Sequence, residues 1–250
     1  MNPILAALDV ATADDALRVA DRIRSHVGGL KIGSQLFTAE GPPLVRSLVA
    51  RGDRIFLDLK YHDIPNTVAE AVRSATSLGV WMLNVHASGG AKMMRSARLA
   101  AEEGADRSGY RPLVIAVTVL TSFDEDGFRA IGVHRPIAQQ VEVLAAMAQD
   151  AGLDGVVASP HEIAAIRARC GPGFHIVTPG IRTGPVPAGD DQARTLSAAD
   201  AVRAGATYLV IGRPILGAAD PAQAAAEIAE SVLRTRETEK PRTREGRSEV

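Results

Sequence analysis

Short aliphatic runs alternate with longer segments of helical period along almost the whole chain. Eight such runs stand out: "PILAAL" (3–8), "GLKIG" (29–33), "RIFLDLK" (54–60), "WMLNVH" (81–86), "PLVIAVTV" (112–119), "GVVAS" (155–159), "HIVTPG" (175–180) and "TYLVIG" (207–212). Each is the length of a strand buried on both faces, and between them lie helical patterns with start and stop signals. Residues 14–26 carry apolar positions at Leu17, Val19, Ala20 and Ile23, and residues 66–79 close on Gly79. Residues 159–171 open with a serine cap and Pro160, and residues 220–233 place Asp220 as cap with Pro221 at the first helical position. Repeated βα units predict a parallel sheet, and eight of them in about 250 residues predict a single (β/α)₈ barrel. An open doubly wound sheet would show a glycine fingerprint after its first strand, and "LDVATADDA" has none.

The rhythm stops at residue 233. Residues 234–250 contain no apolar side chain before Val250 and mix both charge signs, which predicts a barrel domain over 1–233 followed by a disordered tail. Hydrophobic residues make up 46% of the chain but aromatics only 4%, so the core must be aliphatic. A formal net charge of −1 provides no electrostatic footprint for nucleic acid or an anionic membrane, and a small-molecule partner is expected. Cys170 is the only cysteine, which excludes an intramolecular disulfide and a four-cysteine zinc site and suits a cytoplasmic setting. The N-terminus lacks a basic leader and no apolar stretch reaches membrane-span length, so a soluble, unprocessed chain is expected.

In such a barrel the active site forms at the C-terminal ends of the strands. Asp9 follows the first run, Lys31 lies in the second, Asp58 and Lys60 end the third, His86 ends the fourth, and Thr118 and Thr121 close the fifth. Singly, Asp9 reads as a helix cap, Lys31 as a salt-bridge partner and His86 as a loop support. Together Asp9, Lys31, Asp58 and Lys60 place four charges at one barrel mouth, where burial without partners is costly, so a functional site is expected. No second histidine or glutamate stands at ligand spacing, and lysines alternate with the aspartates; metal-free, cofactor-free chemistry is expected. The eighth run leads into "IGRPI", where Gly212 admits close backbone approach and Arg213 offers a charged fork, with Pro214 able to open a helix. The seventh leads into "TPGIR", ending on Arg182, and the loops after strands seven and eight are the frequent phosphate site of this fold. Residues 182–194, rich in proline and glycine, have the composition of a lid, with Gln192 placed to meet a phosphate.

These residues carry a resemblance. "DLKYHDIPNTV" resembles the signature of the orotidine 5′-phosphate decarboxylase family, and the likeness continues in order through "AALDV", "LKIG", "VTVLTS", "AGLDGVVASP", "TPGIR" and "IGRPI", covering roughly residues 3–233. The resemblance implies that the chain converts orotidine 5′-monophosphate to UMP and carbon dioxide without a cofactor. It implies Lys60 as the acid that protonates C6, Asp58 beside the substrate carboxylate, Lys31 as the link from ribose to the charged network, and Asp9 as a ribose-hydroxyl acceptor. It also implies a homodimer in which Asp63 joins the network across the interface, with Ile64 and Thr67 nearby. Thr121, rather than Thr118, takes the place of the pyrimidine contact, and Arg182, Gln192, Gly212 and Arg213 enclose the phosphate. Asp58 either repels the substrate carboxylate or holds Lys60, and positioning is the role favoured here. The rival readings are a magnesium-dependent phosphosugar lyase of the same barrel type, a non-catalytic nucleotide-binding barrel, and a Schiff-base aldolase, against which the flanking carboxylates argue.

Overall fold

In the computed structural model, which describes residues 2–181 and 196–238, all eight aliphatic runs are parallel strands of one closed barrel. They are β1 (Ile4–Ala7), β2 (Gly29–Gly33), β3 (Ile55–Tyr61), β4 (Met82–His86), β5 (Leu113–Val117), β6 (Gly155–Val157), β7 (His175–Thr178) and β8 (Tyr208–Ile211). Each strand pairs with the next in sequence, and β1 closes on β8 with Leu5 opposite Val210.

The helices occupy the intervals that the sequence pattern reserves for them. They are α1 (Ala13–Ile23), α2 (Ser34–Ala50), α3 (Pro65–Ser77), α4 (Gly90–Ser108), α5 (Glu125–Ala130), α6 (Ile137–Asp150), α7 (Ile163–Cys170), α8 (Ala198–Arg203), α9 (Arg213–Leu216) and α10 (Pro221–Thr238). The caps expected at Asp220 and Ser159 are in place, and Thr12 supplies one that the sequence pattern had not marked. Thr12 accepts the Asp15 amide at the start of α1, and Asp220 Oδ1 accepts the Ala222 amide at 3.0 Å with Pro221 opening α10. Ser159 and Glu162 form a reciprocal capping box around a 3₁₀ turn that leads into α7. Within α2 the helix breaks at Gly41, whose φ of +64° suits glycine, and resumes with Pro42 and Pro43, which fit the first turn of a helix.

Two apolar layers divide the side chains by strand period. Leu5, Phe56, Met82, Ile115, Val177 and Tyr208 fill the barrel interior, while the alternate positions, such as Ile4, Leu57, Leu83 and Ile176, pack against the helices. The interior is therefore plugged below, and the polar strand-end positions sit on top of that plug.

One boundary differs from expectation. The last helix continues to Thr238, past the predicted domain end at residue 233, and residues 239–250 lie outside the described residues. The Thr235 hydroxyl donates to the Ser231 carbonyl at 3.0 Å and the Arg234 guanidinium lies 3.6 Å from Glu230. Extending a helix that packing has already nucleated is far easier than starting one, so a polar sequence with no Pro or Gly before Pro241 simply prolongs it.

Candidate active site

β3 does not end as a regular strand. Phe56 and Leu57 pair with Met82 and Leu83, but the next pairing is Tyr61 with Val85, so four steps along β3 match two along β4. The extra residues bulge, and Lys60 adopts φ +53°, the one positive φ outside glycine among the described residues. A left-handed lysine costs about 1–2 kcal/mol, which its surroundings must offset. Asp58 and Lys60 do meet, as strand period predicts, with Lys60 Nζ 2.7 Å from Asp58 Oδ1. The route is different: the bulge turns Lys60 back onto Asp58 instead of leaving it one pleat away.

The bulge is clipped from the neighbouring strand. Fully buried Asn84 in β4 accepts the Lys60 backbone N–H at 2.8 Å through Oδ1 and donates Nδ2–H to Asp58 Oδ1 at 2.7 Å. Asn84 escaped the sequence reading because it was counted into the run "WMLNVH". The signal that would have found it is a carboxamide in the middle of a buried strand, which needs partners.

From Asp58 the charges continue around the mouth. Lys31 Nζ lies 3.7 Å from Asp58 Oδ2 and 3.1 Å from Asp9 Oδ1, producing the order Asp9, Lys31, Asp58, Lys60 with alternating sign. The Lys31 side chain is 9% exposed, and removing a partner from a buried charge costs about 3–5 kcal/mol. Lys60, by contrast, is 35% exposed at its side chain, so its ammonium is held by Asp58 yet open to the cavity. Gly33 makes room for this chain, since a Cβ there would sit 3.0 Å from Lys31 Nζ.

The four charges line a cavity of about 270 Å³. That is near the lower end of ordinary small-ligand sites. Phe56, Val117, Val157 and Val210 form its apolar floor and walls, Thr121 and Leu120 lie on one side, and Gly212 and Arg213 on the other. A Cβ at Gly212 would lie 3.3 Å from Asp9 Oδ2, so glycine keeps the backbone clear beside the charged chain. Arg213 opens α9, a helix of a single turn with Pro214 in its first positions, as the sequence pattern suggested. The two threonines separate: Thr121 lines the cavity, while the Thr118 hydroxyl donates to the Val157 carbonyl at 2.9 Å and serves the sheet.

Not every expected residue joins this cluster. Asp63 is exposed and its Oδ1 accepts the Ile64 amide at 2.6 Å, at the entry to α3. Ile64 is 67% exposed and Thr67 is exposed on the same helix. All three lie away from the cavity of their own chain. Arg182 and Gln192, with the whole 182–194 segment, lie outside the described residues. His86 packs its ring 5.4 Å from that of His62, and burial, followed by the nearby His62 and Lys60, holds its pKa below the usual value. Among the described residues no three His, Cys, Asp or Glu side chains converge in a manner that could hold a metal ion, and no helix is long and apolar enough to cross a membrane.

Comparison with known proteins agrees with this geometry. The model of the orotidine 5′-phosphate decarboxylase / HUMPS family matches residues 2–228. An orotidine 5′-phosphate decarboxylase of Alkalilimnicola ehrlichii is 52% identical over 235 residues, which is 94% of this chain and 98% of that protein. One from Moorella thermoacetica is 51% identical over 236 residues, 92% of each chain. The crystal structure of orotidine 5′-phosphate decarboxylase from Lactobacillus acidophilus superposes with a TM-score of 0.83 at 34% identity, over 93% of this chain and 99% of that one. Relatives at half identity thus carry the decarboxylase name, which does not favour the phosphosugar-lyase alternative. With an eight-stranded barrel, an alternating charged chain at its mouth and a family match over nearly its whole length, the chain belongs to the orotidine 5′-phosphate decarboxylase / HUMPS family.

Proposed function

We propose that the barrel mouth is where this chain decarboxylates orotidine 5′-monophosphate to UMP and carbon dioxide, and that Lys60 supplies the proton that replaces the carboxylate. The observation that carries this is the Lys60 ammonium, gripped by Asp58 at 2.7 Å while still open to the cavity. When the bond from C6 to the carboxylate breaks, its electron pair stays on C6, which has no adjacent carbonyl to take it up. A fixed ammonium aimed at that carbon stabilises the charge as it develops, in a site whose dipoles need not reorganise. The proton then passes from Nζ to C6, completing UMP, and the neutral amine regains a proton from water. Asp58 orients the ammonium, and Lys31 and Asp9 present a cation and a carboxylate to the ribose hydroxyls. Thr121 meets the pyrimidine. Gly212 and Arg213, together with Arg182 and Gln192, hold the phosphate, whose binding energy helps to seat the ring over Lys60. No metal or cofactor takes part, and a cytoplasmic setting belongs to the same reading.

The test is ultraviolet absorbance of orotidine 5′-monophosphate mixed with the purified protein in excess EDTA. Loss of the substrate band at the rate seen without EDTA is expected. A requirement for added magnesium would move the assignment to phosphosugar chemistry.

A homodimer completes the site. Asp63, Ile64 and Thr67 sit at the start of α3, beside a groove that also exposes Leu99, and this surface is where a second copy would bring Asp63 to its neighbour's mouth. Each site then takes Lys60 from one chain and Asp63 from the other. Mixing and refolding Lys60→Ala with Asp63→Ala protein should restore about a quarter of wild-type activity, because half the dimers are mixed and each has one intact site. Activity no greater than the sum of the two separate variants would refute the shared site.

A further inference from the structure

Asn84 is the polar residue that connects the backbone of Lys60 to its own ammonium. Its Oδ1 takes the Lys60 N–H, its Nδ2–H goes to Asp58 Oδ1, and the same Asp58 oxygen takes Lys60 Nζ. The orientation of the carboxamide is dictated by its partners. Turned over, it would set its oxygen against the Asp58 carboxylate and its NH₂ against a backbone N–H. Both contacts act on the bulge where β3 leaves register with β4 and where Lys60 takes its positive φ. Asn84 lies two residues along β4 from Met82 of the apolar plug and so, by strand period, on the same barrel-facing side, where it is fully buried.

We propose that Asn84 is the positioning residue that fixes the aim of Lys60. It does so from both ends, by stabilising the left-handed backbone that starts the side chain and by fixing the carboxylate oxygen that ends it. It touches neither substrate nor the reacting carbon. The inference rests on the reading of Lys60 as proton donor, and it adds that the donor is only as well aimed as this carboxamide allows.

Asn84→Ala removes both contacts. Asn84→Asp has the same shape and keeps an acceptor for the Lys60 N–H, but it turns the donor to Asp58 into a repelling carboxylate oxygen. Displacement of a reacting group by about 1 Å costs on the order of 100-fold in rate, so single-turnover decarboxylation should slow by about that factor in both variants. The affinity for UMP, which has no carboxylate and is held by ribose and phosphate groups, should stay within about threefold of wild type. A residue that merely supported the fold would lower turnover and UMP affinity together, and that result in Asn84→Asp would overturn the proposal. Turnover within threefold of wild type in Asn84→Asp would overturn it equally. Should Asn84→Ala fail to fold, the isosteric variant decides alone. Lys60→Ala run alongside separates the two claims: if it still turns over, the proton-donor reading fails and this inference falls with it.

Discussion

Lys60→Ala is expected to slow the decarboxylation of orotidine 5′-monophosphate by at least about 10⁴-fold, read in single turnover from loss of substrate absorbance. Two contributions disappear together: the cation beside the carbon that becomes charged, worth about 10²–10³-fold as a preorganised donor, and the proton transfer, worth about 10²–10⁴-fold. Lys60→Arg should not rescue the rate. A guanidinium keeps the charge but does not release its proton, and its planar fork does not fit a position shaped for an ammonium. Loss of the fold is not the cause to expect, because Asp58 keeps Asn84 at 2.7 Å and Lys31 at 3.7 Å after the truncation. A melt like that of wild type with the rate abolished is the combined result. A Lys60→Ala protein that retains even a tenth of the rate would remove Lys60 from the chemistry.

The second large effect concerns a part of the substrate that does not react. Orotidine, the nucleoside without its phosphate, is expected to show kcat/KM lower by about 10⁴-fold, with a share of the loss in kcat. Hydrogen bonds to a charged group contribute about 1.5–3 kcal/mol each, so three contacts supply the roughly 5.5 kcal/mol that this ratio represents. Arg213 lines the cavity next to Gly212, at the Asp9 end of the charged chain, and its truncation reads its own contribution. Arg213→Ala should lower kcat/KM for the nucleotide by about 30–100-fold and leave the nucleoside rate as it was. Equal losses on both substrates would take Arg213 away from the phosphate. An undiminished rate on orotidine would mean that remote binding plays no part in driving the reaction.

How far the sequence foretold this site depends on whether its features are periodic. Strands recur every few tens of residues and bury both faces, so runs such as "GLKIG" and "TYLVIG" announce themselves, and the barrel mouth follows from the fold's geometry. Asp9, Lys31, Asp58 and Lys60 were legible for the same reason, as charges interrupting or ending aliphatic runs. The bulge in β3 was not. No local signal marks a lysine for φ +53°, because that conformation accompanies the loss of register with β4, where Asn84 accepts the Lys60 N–H, and is not favoured by "DLKY" itself. The resemblance favoured Thr121 over Thr118 on an inferred register, and the end of β5 then places Thr121 on the cavity and the Thr118 hydroxyl on the Val157 carbonyl. The extension of α10 to Thr238 was hidden because composition reports whether a segment can bury surface, not whether a packed helix already precedes it.

The left-handed backbone at residue 60 sets stability and chemistry against each other at a single codon. Glycine is the residue that this conformation would accept at least cost, and lysine is the one that the proposed proton transfer requires. A lineage released from the need for UMP would relieve about 1–2 kcal/mol of backbone strain by abandoning the amine, against the loss of its contact with Asp58. Drift at this position would silence the enzyme while leaving the barrel intact, and a gene with the full run of strands but glycine at residue 60 would mark a descendant that had changed its trade.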